Sequence, residues 1–210
     1  MAAKSNLTNM VLVLGLTCLF CSAVLGGAYV LTKDPIDAAA KEKTNKAIAQ
    51  VLPDIEENYP EGLSTAEIPM YIAAEKADAY RALMAEDDLI ITADTVVVLG
   101  DEVLGKPTDL DDARRMLREL SGKTHQVITG VCLTTIKKQR KFAVTTDVTF
   151  KELSDEEIDF YVEKYKPLDK AGAYGIQEWI GYIGVTGLHG SYFNVMGLPV
   201  QRIYQELITL

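Results

Sequence analysis

The stretch that decides the fold is Ile90 to Pro107, IITADTVVVLGDEVLGKP. Its apolar runs, Leu89 to Ile91 and Val96 to Leu99, are short and rich in β-branched residues, which reads as strand, not helix. Between them lies Ala93-Asp94-Thr95. A carboxylate that interrupts a buried strand must be hydrogen-bonded, metal-bound or paired, because an isolated buried charge is too costly to keep. Gly100-Asp101 supplies a two-residue hairpin turn, Glu102 to Leu104 returns, and Gly105-Lys106-Pro107 ends the hairpin. Lys106 is thereby expected near Asp94. A carboxylate and an ammonium at one open hairpin end suit a metal-bound phosphate, the acid holding the cation and the lysine an oxyanion. Spacing alone favours a plainer reading, one paired aspartate and an ordinary turn lysine.

The chain has 210 residues, enough for one domain with an appendage and a substantial core. Its formal net charge of −9 argues against a nucleic-acid surface, which needs a basic face to release counterions. Cys18, Cys21 and Cys132 make no disulfide framework and read as small buried hydrophobes of a reducing compartment. The Cys18-x-x-Cys21 spacing lacks the strand and helix context of a redox motif. His125 and His189 are the only histidines, so a metal would need carboxylate ligands.

Ser5 to Thr32 carries no charge. As a helix, Met10 to Leu31 spans roughly 33 Å at about 1.5 Å per residue, against a hydrocarbon core of about 30 Å. The run reads as one membrane span. A cleaved signal peptide is the rival, with Lys4 before the run and Gly26-Gly27-Ala28 as its exit, but the run is long for that. Lys33, Lys41, Lys43 and Lys46 follow the span and favour a cytoplasmic carboxyl side. Ala40, Thr44, Ala47 and Val51 then recur at helical spacing up to Pro53, a juxtamembrane helix over residues 34–53. Residues 1–53 together resemble the amino-terminal anchor of the G subunit of Rnf-type electron transport complexes. That family carries a flavin on a Ser/Thr-Gly-Ala-Thr motif absent here, so the resemblance implies placement and not redox chemistry.

Beyond the polar turn Glu56 to Gly62, Pro69 opens a helix predicted through Met84, with Ala73, Ala77, Tyr80 and Met84 as its apolar stripe and Lys76 at the border. Thr108 and Asp111 are expected to cap a helix to Leu120, stopped by Gly122, with Arg114, Arg115 and Arg118 on a solvated face. Thr124 to Ile136 and Lys141 to Phe150 read as an antiparallel pair. Ser154 and Glu157 form a capping box for a helix through Tyr165. The glycine-rich Asp169 to Gln177 lets backbone approach a ligand and leads into a strand expected over Ile180 to Thr186. A last helix after Leu198-Pro199 should turn Val200, Ile203, Tyr204 and Leu207 inward.

From about Leu52 to Leu210 the chain resembles the Maf family of nucleoside triphosphate pyrophosphatases. The resemblance is carried by Glu57, Glu75-Lys76-Ala77, Ala93-Asp94-Thr95, Gly105-Lys106-Pro107, Ser121-Gly122 followed by His125, Asp169-Lys170-Ala171-Gly172-Ala173-Tyr174-Gly175-Ile176-Gln177, and Asn194-Val195-Met196-Gly197-Leu198-Pro199. It implies an α/β domain over 54–210, a mixed sheet flanked by helices with a two-lobed cleft, preceded by one transmembrane helix over 1–33. It also implies hydrolysis of a nucleoside triphosphate to the monophosphate and pyrophosphate with a divalent cation, Mg²⁺ or Mn²⁺. Asp94 then corresponds to the proton acceptor for the attacking water and to a metal ligand, with Glu57 a second acidic group near the metal. Lys76 and Lys106 would grip phosphate oxygens. Thr95 and Gln177 match the branch that selects dTTP and UTP, and a glutamine amide can both donate to and accept from a pyrimidine edge.

One feature of the family is missing. A first strand running into Ser-x-Ser-Pro-Arg-Arg, where hydroxyl, arginines and helix end receive the triphosphate, has no counterpart: Pro35 is not followed by arginine, and the first arginine is Arg81. The two resemblances meet at Val51-Leu52-Pro53. The expected function is a dTTP/UTP pyrophosphatase impaired by the missing loop. The alternatives are an inactive membrane-anchored Maf-like protein or an artefactual fusion, and further off an electron-transport subunit. Expected partners are the triphosphate, the membrane through the amino-terminal helix and a second copy of the chain, with no nucleic acid. The family is cytoplasmic, and the catalytic domain of this chain is expected on the cytoplasmic face of the inner membrane.

Overall fold

The β-branched run and its turn form the hairpin expected of them. β1 (Ile90–Leu99) and β2 (Glu102–Leu104) pair antiparallel, with Val98 opposite Val103, and Gly100 takes the left-handed turn at φ +63°. The computed structural model describes residues 59–210, which lie within a unit running from Ile55 to Leu210. Ahead of the hairpin stand α1 (Glu67–Tyr80) and a 3-10 turn (Arg81–Leu83), so the helix ends before Met84. After it come α2 (Leu110–Leu120), β3 (Thr124–Thr134), β4 (Gln139–Phe150), α3 (Asp155–Tyr165), a 3-10 turn (Ala171–Ala173), α4 (Trp179–Gly184), β5 (Val185–His189), α5 (Tyr192–Val195) and α6 (Val200–Ile208).

The strands make one sheet in the order β2-β1-β3-β4-β5. Among the described residues every pairing is antiparallel, which corrects the mixed sheet implied by the family resemblance. The reason lies in the connections. β2 and β3 flank β1 and both run opposite to it, with α2 as the crossover that joins them. β1 and β3 stay in register over nine pairs, from Ile90 opposite Thr134 to Val98 opposite Gln126.

Side chains alternate between the two faces of the sheet. Val96, Val98 and Ile128 meet Ile68 and Ile72 of α1, while Cys132 meets Ala73, Ala74 and Ala77. Gly130 permits this approach, since a Cβ there would lie 2.2 Å from the Met70 backbone nitrogen. The opposite face carries Val97, Val127, Val148 and Phe150 against α2, α3 and α4, and Val131 and Leu133 against Ile203 of α6.

Local signals explain the starts of α2 and α3. Ser154 and Glu157 close the capping box on α3, as the sequence predicts. On α2 the cap is Asp109, not Thr108: its carboxylate accepts from the Asp111 and Asp112 amides. Arg114, Arg115 and Arg118 pair with Asp159, Asp112 and Asp155 on the outer face, so they are no phosphate clamp. The strand expected from Ile180 is instead the short helix α4 followed by β5. Ile180 is buried while Trp179 and Ile183 pack beside it, a helical spacing, and Gly181 lets the turn close against the Ile176 carbonyl. In α6 only Ile203 is buried; Val200 and Tyr204, expected inward, face out because only the Ile203 edge of the helix reaches Val131 and Leu133. Among the described residues no helix is long and apolar enough to cross a membrane. The expected span, the juxtamembrane helix and the Rnf-like anchor lie outside the described residues.

His125 is the one imidazole in the core. Its Nε2 lies 2.8 Å from the Tyr174 hydroxyl, and its ring meets Phe150 edge-on at 5.2 Å. Burial lowers its pKa from 6.5 to about 4. The folded state therefore keeps His125 neutral where the unfolded chain takes up a proton. This contribution is complete above about pH 6.5 and is lost as pH falls toward 4, a loss of about 2 kcal/mol by pH 4.5. Urea unfolding at pH 7 and 4.5 should show a larger loss for the parent chain than for His125→Gln by about that amount; equal losses would refute it.

Candidate active site

The site follows from where β2 stops. Its pairing with β1 begins at Val97 opposite Leu104, so among the described residues β1 has no partner on that side before Val97. A cleft of about 270 Å³ wraps this strand edge. Consecutive residues can both line it because it is reached from both faces of the strand. Asp94 points toward α1, where Lys76 Nζ lies 2.5 Å from its Oδ1. The carboxylate is 10% exposed and the lysine side chain 26%. Partial burial makes such a pair count for more than a surface one. Thr95 lines the cleft from the other face, with its Oγ1 2.8 Å from Thr129 Oγ1.

Lys106 follows β2 and lines the same cleft, so the hairpin does bring it into one site with Asp94. The third wall is the strap from Asp169 to Glu178, pinned at several points. Gly172 N–H donates to the Gly105 carbonyl at 3.0 Å, tying the strap to the residue before Lys106. Gly172 has φ +66°, and a Cβ there would lie 2.9 Å from Val97. Gly175 N–H donates to the buried Tyr161 hydroxyl, which itself donates to Glu178. Burial, then the Glu178 carboxylate, raise the Tyr161 pKa, so the phenol keeps its proton. Gln177 stands at the open end of the strap, its carbonyl accepting from the Tyr182 hydroxyl at 2.8 Å.

Sequence reasoning did not single out Lys170, whose ammonium lines the cleft between Asp169 at 2.9 Å and Glu178 at 3.3 Å. Burial acts to lower its pKa, but the two carboxylates outweigh burial and the net shift is upward. Three ammonium groups thus gather in one cleft of a chain with net charge −9. That arrangement suits a polyanion. Thr129 was missed, because nothing in its spacing marks it, and Asn194 was noted in its motif without a role; only the folded register places the two behind Thr95. Glu57 lies outside the described residues. Among the described residues no group of three His, Cys, Asp or Glu forms a metal cage.

A cleft lined by lysines around a strand-borne aspartate, fed by a glycine-rich strap, defines a phosphate-handling α/β domain. The chain belongs to the Maf family: the family model described as Maf-like protein matches residues 34–210. Among its relatives, a dTTP/UTP pyrophosphatase of Phocaeicola vulgatus is 68% identical over 158 residues, covering 75% of this chain and 82% of that protein. Proteins of the same name from Bacteroides thetaiotaomicron and Flavobacterium psychrophilum are 59% and 51% identical, covering 76% and 75% of this chain and 83% and 80% of theirs.

Proposed function

We propose that this chain hydrolyses dTTP and UTP to the monophosphate and pyrophosphate. The observation that carries the reading is the convergence of Asp94, Lys76 and Lys106 with Thr95 and Gln177 around the open edge of β1. In the reaction a water oxygen forms a bond to the α-phosphorus, the bond from that phosphorus to the bridging oxygen breaks, and pyrophosphate leaves with the electron pair. Asp94 accepts the water proton, and Lys76 orients its carboxylate from 2.5 Å. Lys106 and Lys76 balance charge that grows on the phosphate oxygens. Thr95 and Gln177 read the base.

A divalent cation fits the donor set. Asp94 and Asp169 face the cleft, and small hard cations such as Mg²⁺ take one or two carboxylates together with substrate phosphates. Asp94 would hold the ion, with Glu57 contributing by resemblance. When bound, such an ion offsets negative charge across the phosphate oxygens. Chelation by EDTA is expected to stop turnover, and added Mg²⁺ or Mn²⁺ to restore it.

The decisive assay is pyrophosphate release from dTTP, UTP, ATP and GTP. Pyrimidine-selective release supports the reading; none from folded protein would leave the second reading, a non-catalytic membrane-tethered relative, which the absence of any arginine before Arg81 favours. Lys106→Gln should lower kcat/KM for dTTP about 10²-fold, read by initial rates, with the fold retained because the lysine is exposed. The apolar run from Met10 to Leu31 supports anchoring of the domain to the cytoplasmic face of a membrane. Protease access to residues 59–210 from the outer side of intact cells would overturn that placement.

A further inference from the structure

Behind Thr95 lies a short relay of hydroxyls whose proton order can be worked out. Thr129 is fully buried on β3, directly opposite Thr95. Its Oγ1 is 3.0 Å from the main-chain oxygen of Asn194 and 2.8 Å from Thr95 Oγ1. A carbonyl oxygen cannot donate, so the single hydroxyl proton of Thr129 goes to Asn194. The contact between the two threonines must then use the proton of Thr95. The Thr95 hydroxyl therefore spends its proton inward and offers only lone pairs to the cleft.

The far end of the relay is firmly held. Asn194 is buried, and its side-chain amide donates to the Val127 carbonyl at 3.0 Å and to Thr146 Oγ1 at 3.1 Å. Its main-chain oxygen also accepts from Gly197 N–H at 2.9 Å and faces the Met196 N–H, which holds the carbonyl in place as the acceptor of Thr129. Reversal of the relay would turn the Thr129 proton to Thr95 Oγ1 and strip the buried Asn194 carbonyl of one of its donors, so the order in which Thr129 donates to Asn194 keeps more of the buried contacts. Gly197 also lines the cleft, and a Cβ there would stand 3.6 Å from Thr95 Oγ1, so the glycine keeps the approach to that oxygen open.

We infer that Thr129, through the Asn194 carbonyl, fixes Thr95 as an obligate hydrogen-bond acceptor that selects a ring N–H on the substrate base. The inference rests on the reading of the cleft as a pyrimidine triphosphate site. The imide N–H of uracil and thymine meets the requirement. Cytosine presents a lone pair at the same ring position, so two acceptors would face each other and one would be stripped of water without a partner. Sites built to hydrogen-bond one group reject the analogue that lacks it strongly. Thr129 is a positioning residue here, and the quantity it controls is the choice between uridine and cytidine nucleotides.

The test measures dissociation constants for the non-hydrolysable α,β-methylene analogues of UTP and CTP on the full chain in detergent, so that it does not depend on turnover. The parent is expected to prefer the UTP analogue by about 10²-fold. In Thr129→Val the Thr95 hydroxyl regains its rotor and can donate to cytosine, so the preference should fall at least tenfold, mostly through tighter binding of the CTP analogue. Thr129→Ser keeps the relay and should restore the parent ratio, whereas a merely structural role for Thr129 would weaken both analogues alike. A folded Thr129→Val chain with the parent ratio overturns the inference. So does a parent that binds both analogues equally while still releasing pyrophosphate from UTP, and in that case the proposed activity stands. A folded parent that binds neither analogue overturns both.

Discussion

An Asp94→Asn chain is expected to release pyrophosphate from dTTP at no more than about a thousandth of the parent kcat/KM, in line with the loss of a positioned general base. The amide keeps the shape of the carboxylate but cannot take a proton from water. It also removes the charge that holds Lys76 at 2.5 Å, so the ammonium loses its set position in the cleft. The fold should survive. Lys76 is 26% exposed and can turn to solvent, and the two hydrophobic layers on either side of β1 do not involve Asp94. Thermal unfolding of the variant beside the parent, with initial rates on both, separates the two effects. Parent-like rates from Asp94→Asn would remove Asp94 from the chemistry.

Gly130→Ala should have the largest effect on stability of any single methyl group added to the sheet. The added carbon would lie 2.2 Å from the Met70 nitrogen, 2.3 Å from the Pro69 carbonyl carbon and 2.5 Å from its oxygen. All three atoms are backbone, so no side chain can turn aside. The helix must lift from the strands, opening the contacts of Ile68 and Ile72 with Val96, Val98 and Ile128. Overpacking of this kind costs about 3 kcal/mol or more, which for a chain of this size lowers Tm by about 10 °C. Lys76 rides the same helix, so activity should fall along with stability. A variant with the parent Tm would mean that α1 is not clamped against Gly130.

The hairpin at the centre of the fold was legible because its signals are local. β-branched runs, Gly100-Asp101 and a strand-borne acid act within a dozen residues, and they place Asp94 and Lys106 in one cleft. The capping box at Ser154 and Glu157 is legible for the same reason. Where the reading failed, tertiary packing decided. The apolar run from Trp179 to Gly184 suits either period, and only the fit of Ile180 into the core under the Ile176 carbonyl makes it helix. Val200 and Tyr204 share a helical stripe with Ile203, yet the sheet offers room for the Ile203 edge alone. Lys170 sits inside a motif that was noticed for its glycines. Its place in the cleft depends on Tyr161 and Glu178, which lie nine residues before it and eight after it in the chain and meet around the strap only in the fold.

The pleat of β1 has a consequence for how such a site can change over time. Asp94 and Thr95 are neighbours in the chain but belong to opposite sides of the sheet, one backed by Lys76 and the other by Thr129. Under the proposed roles, bond breaking and base reading have separate supporting casts that share only the main chain of a single strand. Substitutions behind Thr95 can retune which base is accepted while the helix behind Asp94 stays where it is. The arrangement is tolerant to side-chain drift and intolerant to a frame error: slipping β1 by one residue against its nine partners would send the acid to the reading side and the hydroxyl to the reacting side. A lineage built on this strand is free to explore new nucleotides without reinventing the hydrolysis.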